Sequence, residues 1–113
     1  MPSAGEVVWA TVDGDRRPWL VVSRAELARG GYVLAVPCTT ARLDERATLR
    51  NCVLLEAGEG GIAKRCVAQA ELCAAVRVED LDTERLGVLS AERWRELVRA
   101  VGYVLNASCE PEP

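Results

Sequence analysis

The sequence contains no histidine, and this absence excludes a large class of catalytic sites. A serine or cysteine activated by an imidazole cannot occur here. The chain also has no glycine-rich phosphate-binding motif and no nucleophile-elbow motif. A zinc site would need thiolates or carboxylates alone, and the cysteine spacing does not suggest one. We therefore expect neither a metal nor a cofactor.

The sequence also lacks long apolar runs. No run is long enough to cross a bilayer, and residues 1–6 lack the basic and apolar regions of a signal peptide. These features predict a cytoplasmic protein that does not enter a membrane. The odd number of cysteines and the lack of C-x-x-C spacing agree with a reducing compartment. We expect reduced, mostly buried thiols at Cys38, Cys52, Cys66, Cys73 and Cys109.

The chain is of the size of one ordinary domain. It has 113 residues, of which 50% are hydrophobic, enough for a single core. We place this domain at residues 1–106. The remaining residues 107–113, which end in Glu-Pro-Glu-Pro, form an acidic, proline-containing tail that we expect to be disordered.

Short β-branched runs between turn residues predict a mainly β protein. Asp13-Gly14 between two apolar runs is typical of a β-hairpin. Pro37 is expected to end the third strand, and residues 38–48 read as a loop. One or two helical turns are predicted at residues 24–30. The predicted strands are residues 6–12, 18–23, 32–37 and 49–55, with further β structure at residues 62–71 and 72–78.

The last predicted element is a helix. Ser90 is a suitable N-cap, apolar residues then recur at helical spacing, and Asn106 can end the helix. Several strands followed by one helix indicate an all-β barrel or an α+β domain, with the helix packed on the sheet.

The charge distribution allows a local basic surface on an acidic protein. The chain has 14 basic and 17 acidic residues, a net charge of −3, which argues mildly against nucleic-acid binding. However, most of the basic residues lie in the first 65 positions. These are Arg16, Arg17, Arg24, Arg29, Arg42, Arg46, Arg50, Lys64 and Arg65.

Several stretches, in order, resemble the MazF/PemK family of toxin–antitoxin ribonucleases. The opening strand Gly5-Glu6-Val7-Val8-Trp9 is followed by Arg17-Pro18 and then by Pro37-Cys38-Thr39-Thr40. A glycine-rich turn over residues 57–64 and a stretch at residues 85–90 before the final helix complete the similarity, which covers nearly the whole chain. The ordered set, rather than any one motif, carries the resemblance.

The resemblance implies a fold, an activity and partners. The fold would be a mainly β, SH3-like barrel of the CcdB/PemK type with a short helix and a C-terminal helix. The protein would be a homodimer that cuts single-stranded RNA at a short sequence without a metal ion. The products would carry a 2′,3′-cyclic phosphate and a 5′-hydroxyl, and a small MazE-like antitoxin would block the site.

The resemblance assigns the catalytic pair to Arg17 and Thr39. An arginine offers a planar set of donors to phosphate oxygens, and a threonine hydroxyl can donate to the same group. Neither side chain is a good base, so a carboxylate is needed, and Glu71, Asp15 and Asp13 are the candidates.

A second set of residues is predicted to hold the RNA. Single-stranded RNA is commonly bound by a basic groove with aromatic stacking. Trp19 stands next to the Arg-Pro pair, although its strand position equally allows it to point inward. We interpret the other tryptophans as core residues. The predicted binding residues are Arg16, Trp19, Thr40, Arg42 and Lys64.

The chain departs from the family pattern in three places that bear on base preference. The loop before Arg17 is shorter than in many members. Arg65-Cys66 stands where many members have Asp-Ser, and Leu72 replaces a glutamine.

Two other functions remain open at this point. One is a toxin of the same fold that poisons a protein such as DNA gyrase. However, the final helix lacks the Trp-Gly-Ile ending that is typical of such proteins. The other is a catalytically silent binding module, which the acidic net charge and the short first loop would suit.

Overall fold

The computed structural model describes residues 1–107 and 110–112. Cys109 and part of the predicted tail therefore lie outside the described residues. The described chain is mainly β, with the C-terminal helix that the sequence predicts. Its strands are β1 Glu6–Val12, β2 Asp15–Val21, β3 Tyr32–Thr39, β4 Cys52–Leu55, β5 Cys66–Gln69, β6 Ala74–Arg77 and β7 Leu81–Val88.

The first hairpin follows from its two-residue turn. Asp13 and Gly14 have φ of 52° and 77°, which matches the twist of the flanking strands and suits Asp-Gly. The turn fixes the register, in which Val12 pairs with Asp15 and Trp9 with Pro18. β2 thus begins three residues earlier than predicted, because the turn itself is shorter than the sequence suggested.

Pro37 does not end β3, contrary to the prediction. β3 pairs with β2 up to Pro37, and from Cys38 onward it pairs with β5. Proline lacks an N–H, so it is tolerated where a strand changes partner. β3 therefore runs on to Thr39. The predicted loop at 38–48 also contains the short helix α1, Leu43–Arg46.

The sheet is antiparallel but not closed, which corrects the prediction of a barrel. The strand order is β4-β5-β3-β2-β1-β7, and β6 pairs with β3 beside this path. The backbone of the glycine-rich turn at Gly60 and Gly61 packs directly against the backbone of β7. A Cβ at Gly61 would lie 2.1 Å from the Leu86 carbonyl oxygen, and one at Gly87 would lie 2.6 Å from Gly60.

β7 is the strand that the sequence did not predict. Its sequence, LDTERLGV, contains three charged residues and a glycine, which are depleted in strands. It pairs only with β1 among the described strands and is mostly exposed, as an edge strand can be. Its bulged register with β1 indicates that it follows the sheet's curvature.

The helix α2, Ala91–Val104, has the predicted caps. The Ser90 hydroxyl accepts the Arg93 N–H at 3.1 Å. At the other end Asn106 adopts a left-handed φ of 51°, and the Ala107 N–H reaches the Gly102 carbonyl at 3.0 Å. This is a Schellman ending with asparagine in the position usually held by glycine.

Two apolar clusters hold the sheet together. One lies between the sheet and α2 and contains the buried Leu20, Leu55 and Leu97. The other contains Trp19 with small aliphatic side chains from β1, β2, β3 and β6, and Ala28 from the helical turn Ala25–Gly30. Cys38 and Cys66 are buried in the first cluster, as predicted, whereas Cys52 and Cys73 are half-buried.

Within residues 1–107 and 110–112, no helix is long and apolar enough to cross a bilayer.

An ion pair fastens α2 to the glycine-rich turn. Arg93 donates to both carboxylate oxygens of Glu59, at 2.8 and 3.0 Å, and to Glu96 at 2.9 Å. Hydrogen bonding from Arg93 holds the pKa of Glu59 below its ordinary value. This pair therefore links the last helix to the turn beside β7.

We expect Gly61→Ala to destabilise the protein by roughly 2–4 kcal/mol, because it adds a clash with Leu86 to an unfavourable positive φ. Gly58→Ala is the matched control, since Gly58 has the same kind of φ but open space around it. It should cost only about 1 kcal/mol. Urea unfolding measures the free energy of unfolding of both variants, and equal losses of stability would contradict the close packing at Gly61.

We expect Glu59→Gln to lower the free energy of unfolding by about 1 kcal/mol at pH 7. Because the folded pKa of Glu59 is lowered, its stabilisation is complete above the unfolded value of about 4.3. It disappears as the pH falls through the folded pKa, so the two proteins should converge in acid. Glu56→Gln, which breaks a more exposed pair with Arg65, should have a smaller effect. A constant difference at all pH values would rule out this linkage.

Candidate functional site

An open cleft of about 420 Å³ lies where β2 begins and β3 ends, beside the glycine-rich turn. Its walls come from the hairpin, the end of β3, the segment that leads into β5, and β7. The lining residues are Trp9, Asp15, Arg16, Arg17, Pro18, Cys38, Thr39, Thr40, Gly61, Ile62, Ala63, Lys64, Cys66 and Leu86.

The strand register brings Arg17 and Thr39 together. β2 and β3 pair from Val21↔Ala35 to Trp19↔Pro37. Arg17 and Thr39 lie two residues beyond the last pair of this ladder, near the start of β2 and at the end of β3. Both residues line the cleft, so the pair meets across two strands although 22 positions separate it in the sequence.

Arg17 is held by a carboxylate within the cleft. Its guanidinium forms an ion pair with Asp15, and its side chain is 34% exposed. Asp15 is the one carboxylate among the described residues that line the cleft. The hairpin thus supplies both a fixed cation and a proton acceptor, since residues two apart on a strand point to the same side.

The Thr39 hydroxyl is oriented by the backbone. Its oxygen accepts the Ala41 N–H at 3.1 Å, which is a local turn interaction. This leaves the hydroxyl hydrogen available to donate to a group in the cleft. Thr40 follows it in the lining.

Trp9 and Arg16 form a stacked pair on one wall. The Arg16 guanidinium lies 4.6 Å from the centre of the Trp9 ring. Asp82 on β7 holds the same guanidinium at 2.6 Å. The stack presents a flat, charged surface of the kind on which nucleobases lie.

Two thiols complete the wall near Arg17. Hydrogen bonding with Cys66 and burial raise the pKa of Cys38, while the charge of Arg17 acts in the opposite direction. The same hydrogen bond lowers the pKa of Cys66, against the effect of burial. The pKa values of the two thiols are therefore shifted in opposite directions.

Three of the predicted site residues, and Asp13 among the candidate bases, do not line the cleft. Glu71 lies beyond the far end of β5, where it accepts hydrogen bonds from Asn51 at 2.7 Å and Gln69 at 3.3 Å. Trp19 is 6% exposed and packs in the second apolar cluster, because it shares the inward face with Val21. Arg42 is exposed at the turn before α1 and does not line the cleft.

Of the predicted residues, the structure brings together Arg16, Arg17, Thr39, Thr40 and Lys64. Trp9 was not predicted to line the cleft, since a tryptophan in a strand is more often core. Alternation gives no signal for it, because β1 buries both faces: Val7, on the same side as Trp9, is as fully buried as Ala10. No sequence feature pointed to Leu86 as a lining residue, because its strand was not predicted.

Among the described residues, no group of three or more His, Cys, Asp or Glu side chains is placed to hold a metal ion.

Comparison with known proteins places these features in a family. Residues 3–105 match the family model described as "PemK-like, MazF-like toxin of type II toxin-antitoxin system". A search of curated proteins gave no match.

Solved structures of similar fold include toxins of this kind. MazF in the MazE–MazF complex of Deinococcus radiodurans is 28% identical, with a TM-score of 0.75, over 92% of this chain and 94% of that one. The Mycobacterium tuberculosis toxin MazF-mt6 is 25% identical, with a TM-score of 0.74, over 89% and 96%. An endoribonuclease from a mycobacterial species, solved with its cognate antitoxin, is 22% identical with a TM-score of 0.79 over both full chains and shows the shared fold.

We expect the stacked pair to contribute to binding of a single-stranded oligonucleotide. Arg16→Gln removes the cation over Trp9 and should weaken the affinity about tenfold, because one stacking contact is worth roughly 1–3 kcal/mol. Arg77→Gln is the matched control, since Arg77 also forms an exposed ion pair but lies on β6, outside the cleft. Fluorescence anisotropy with a labelled all-deoxy oligonucleotide measures both. Equal losses of affinity in the two variants would show that binding depends on overall charge and not on the stacked pair.

Proposed function

Because the chain belongs to the PemK-like, MazF-like toxins of type II toxin–antitoxin systems, we propose that it is an endoribonuclease that cuts single-stranded RNA. We further propose that it needs no metal ion, recognises a short sequence and leaves a 2′,3′-cyclic phosphate and a 5′-hydroxyl.

The observation that carries this proposal is the meeting of Arg17, Thr39 and Asp15 in one open cleft. Cleavage of this type needs a group that stabilises a negatively charged phosphorane and a group that takes the 2′-hydroxyl proton. The cleft offers a cation and a carboxylate from β2 and a hydroxyl donor from the end of β3. These groups come from rigid strands, which favours a fixed geometry.

In the proposed reaction Asp15 accepts the proton of the 2′-hydroxyl. The resulting oxygen attacks the adjacent phosphorus, and the bond to the 5′-oxygen breaks as that oxygen takes a proton from water. Asp15 then returns its proton to the solvent. Arg17 donates to the phosphorane oxygens, and its permanent charge suits that role. Asp15 holds this guanidinium in the free protein, so substrate phosphate would take over part of the pairing.

Thr39 has a supporting part in the same step. Its hydroxyl oxygen is already an acceptor for Ala41, so the hydroxyl hydrogen is directed away from that N–H. We propose that it donates to the phosphate that Arg17 holds. A preorganised donor of this kind lowers a barrier by about 3 kcal/mol.

Recognition of the RNA would use the rest of the cleft wall. We propose that Lys64 and Thr40, which line the cleft, contact phosphates next to the scissile bond. Lys64 forms no ion pair among the described residues. The Trp9–Arg16 stack would hold one base. Trp19 and Arg42, which lie outside the cleft, have no part in this proposal, and Asp15 replaces Glu71 as the base.

We also propose the partners that the family implies. The Deinococcus MazF was solved in complex with MazE, and the mycobacterial endoribonuclease was solved with its cognate antitoxin. By analogy, a small MazE-like antitoxin would cover this cleft, and the toxin would act as a homodimer in the cytoplasm. No feature of the described residues favours a gyrase-directed activity over this one.

We expect the purified protein to cut a mixed-sequence RNA in the presence of EDTA, and Arg17→Ala to lower the rate roughly a hundred- to a thousandfold. Mapping of the fragment ends identifies the products and any preferred sequence. Circular dichroism checks that the variant is folded. Absence of cleavage by the folded wild-type protein, with antitoxin binding retained, would instead support the silent binding module.

The carboxylates give a matched comparison for the base. Asp15→Asn should abolish most of the activity, whereas Glu71→Gln should change it by less than about threefold, because Glu71 does not line the cleft. The reverse result would restore Glu71 as the base and contradict the proposed mechanism.

A further inference from the structure

Two free thiols, Cys38 on β3 and Cys66 on β5, stand next to each other in the sheet. Cys38 pairs with Ala68 across the β3–β5 ladder. Because side chains alternate along a strand, Cys66, two residues before Ala68, lies on the same face as Cys38 and diagonal to it. Both belong to the same apolar cluster.

Both thiols also form part of the cleft wall. Their exposed fractions are only 2% and 3%, yet both line the open cleft beside Arg17. A small hydroperoxide that enters the cleft would meet them, whereas larger reagents in solution would not. Cys52 and Cys73, which are more exposed, do not line the cleft.

We propose that Cys38 and Cys66 form a peroxide-sensitive modification site, in which oxidation closes a disulfide across the cleft wall and disables the site. The effect on RNA rests on the function proposed above, whereas the modification itself does not.

The chemistry needs one hydroperoxide for each disulfide. The thiolate of one cysteine attacks the peroxide, the O–O bond breaks, and a sulfenic acid and an alcohol or water form. The second thiol then attacks the sulfenic sulfur, releasing water and forming the S–S bond. Because both thiols line the cleft, either one can attack the peroxide first and the other then resolves the sulfenic acid.

The disulfide would displace the catalytic groups. Diagonal neighbours in an antiparallel ladder are about 7–8 Å apart, with a somewhat shorter distance between their Cβ atoms, whereas a disulfide needs the Cβ atoms about 3.5–4.5 Å apart. The ends of β3 and β5 would have to move toward each other. Thr39 directly follows Cys38, so its hydroxyl would shift relative to Arg17. A strained bond of this kind is easily reduced, as a reversible switch requires.

The test isolates the pair in a full-length variant. Replacing Cys52, Cys73 and Cys109 by alanine leaves Cys38 and Cys66 as the only thiols. After treatment with hydrogen peroxide, mass spectrometry should show the loss of two hydrogens and a cross-linked peptide pair, reversed by dithiothreitol. Cleavage and binding of an uncleavable RNA analogue are measured on the same samples.

We expect the oxidised form to cleave RNA at least about tenfold more slowly, since a displacement near 1 Å can cost a hundredfold. The matched control keeps Cys52, Cys73 and Cys109 and replaces Cys38 and Cys66 by alanine. Its ratio of oxidised to reduced activity should stay near one.

Two results would overturn the inference. One is oxidation that stops at sulfinic acid on one cysteine without a cross-link. The other is a mapped Cys38–Cys66 disulfide that changes neither cleavage nor binding of the analogue. If the reduced protein cuts no RNA at all, the proposed function fails, and the peptide mapping and the binding of the analogue still decide the inference.

Discussion

The architecture depends on a close backbone contact between the glycine-rich turn and β7. Gly60 and Gly61 approach Leu86 and Gly87 so closely that a Cβ at Gly61 or Gly87 would overlap backbone atoms. The open sheet thereby brings its edge strand β7 against the turn without a hydrogen-bonded ladder between them. The cleft lies at this junction, since Gly61 and Leu86 line it. The Glu59–Arg93 ion pair fixes the same turn to the final helix, so one small segment connects the site to both layers.

The charges of the cleft explain how an acidic chain can present a basic site. The net charge is −3, but the cleft contains Arg16, Arg17 and Lys64 with one carboxylate, Asp15. Each arginine is positioned by an acid, Arg17 by Asp15 and Arg16 by Asp82. These pairs orient the guanidinium groups for phosphate or base contacts. Local arrangement therefore outweighs the total charge in judging whether such a protein can bind RNA.

Local sequence determined the elements with strong short-range signals. β1 has the bounds that its β-branched residues and the following turn predicted, the Asp13-Gly14 turn closes the first hairpin, and Ser90 and Asn106 cap α2. The ordered motifs also identified the family and selected Arg17 and Thr39, which the structure places in one cleft. These features follow from a few neighbouring residues, because turn conformation, capping and strand alternation act over short distances. By contrast, β7 was hidden by its charged residues, whose place at a sheet edge depends on a partner far away in sequence.

Only the tertiary structure decided which side chains face the cleft. Strand bending and register turned Trp19 into the core and Trp9 toward the cleft, and they left Glu71 at the far end of β5. The same pairing of β3 with β5 placed Cys38 beside Cys66. The sequence by itself determined the mainly β architecture, its caps and turns, and its family. Contacts between strands that are far apart in the sequence decided which residues form the site. The reason is that a side chain's neighbours across a sheet are set by register and curvature rather than by sequence proximity.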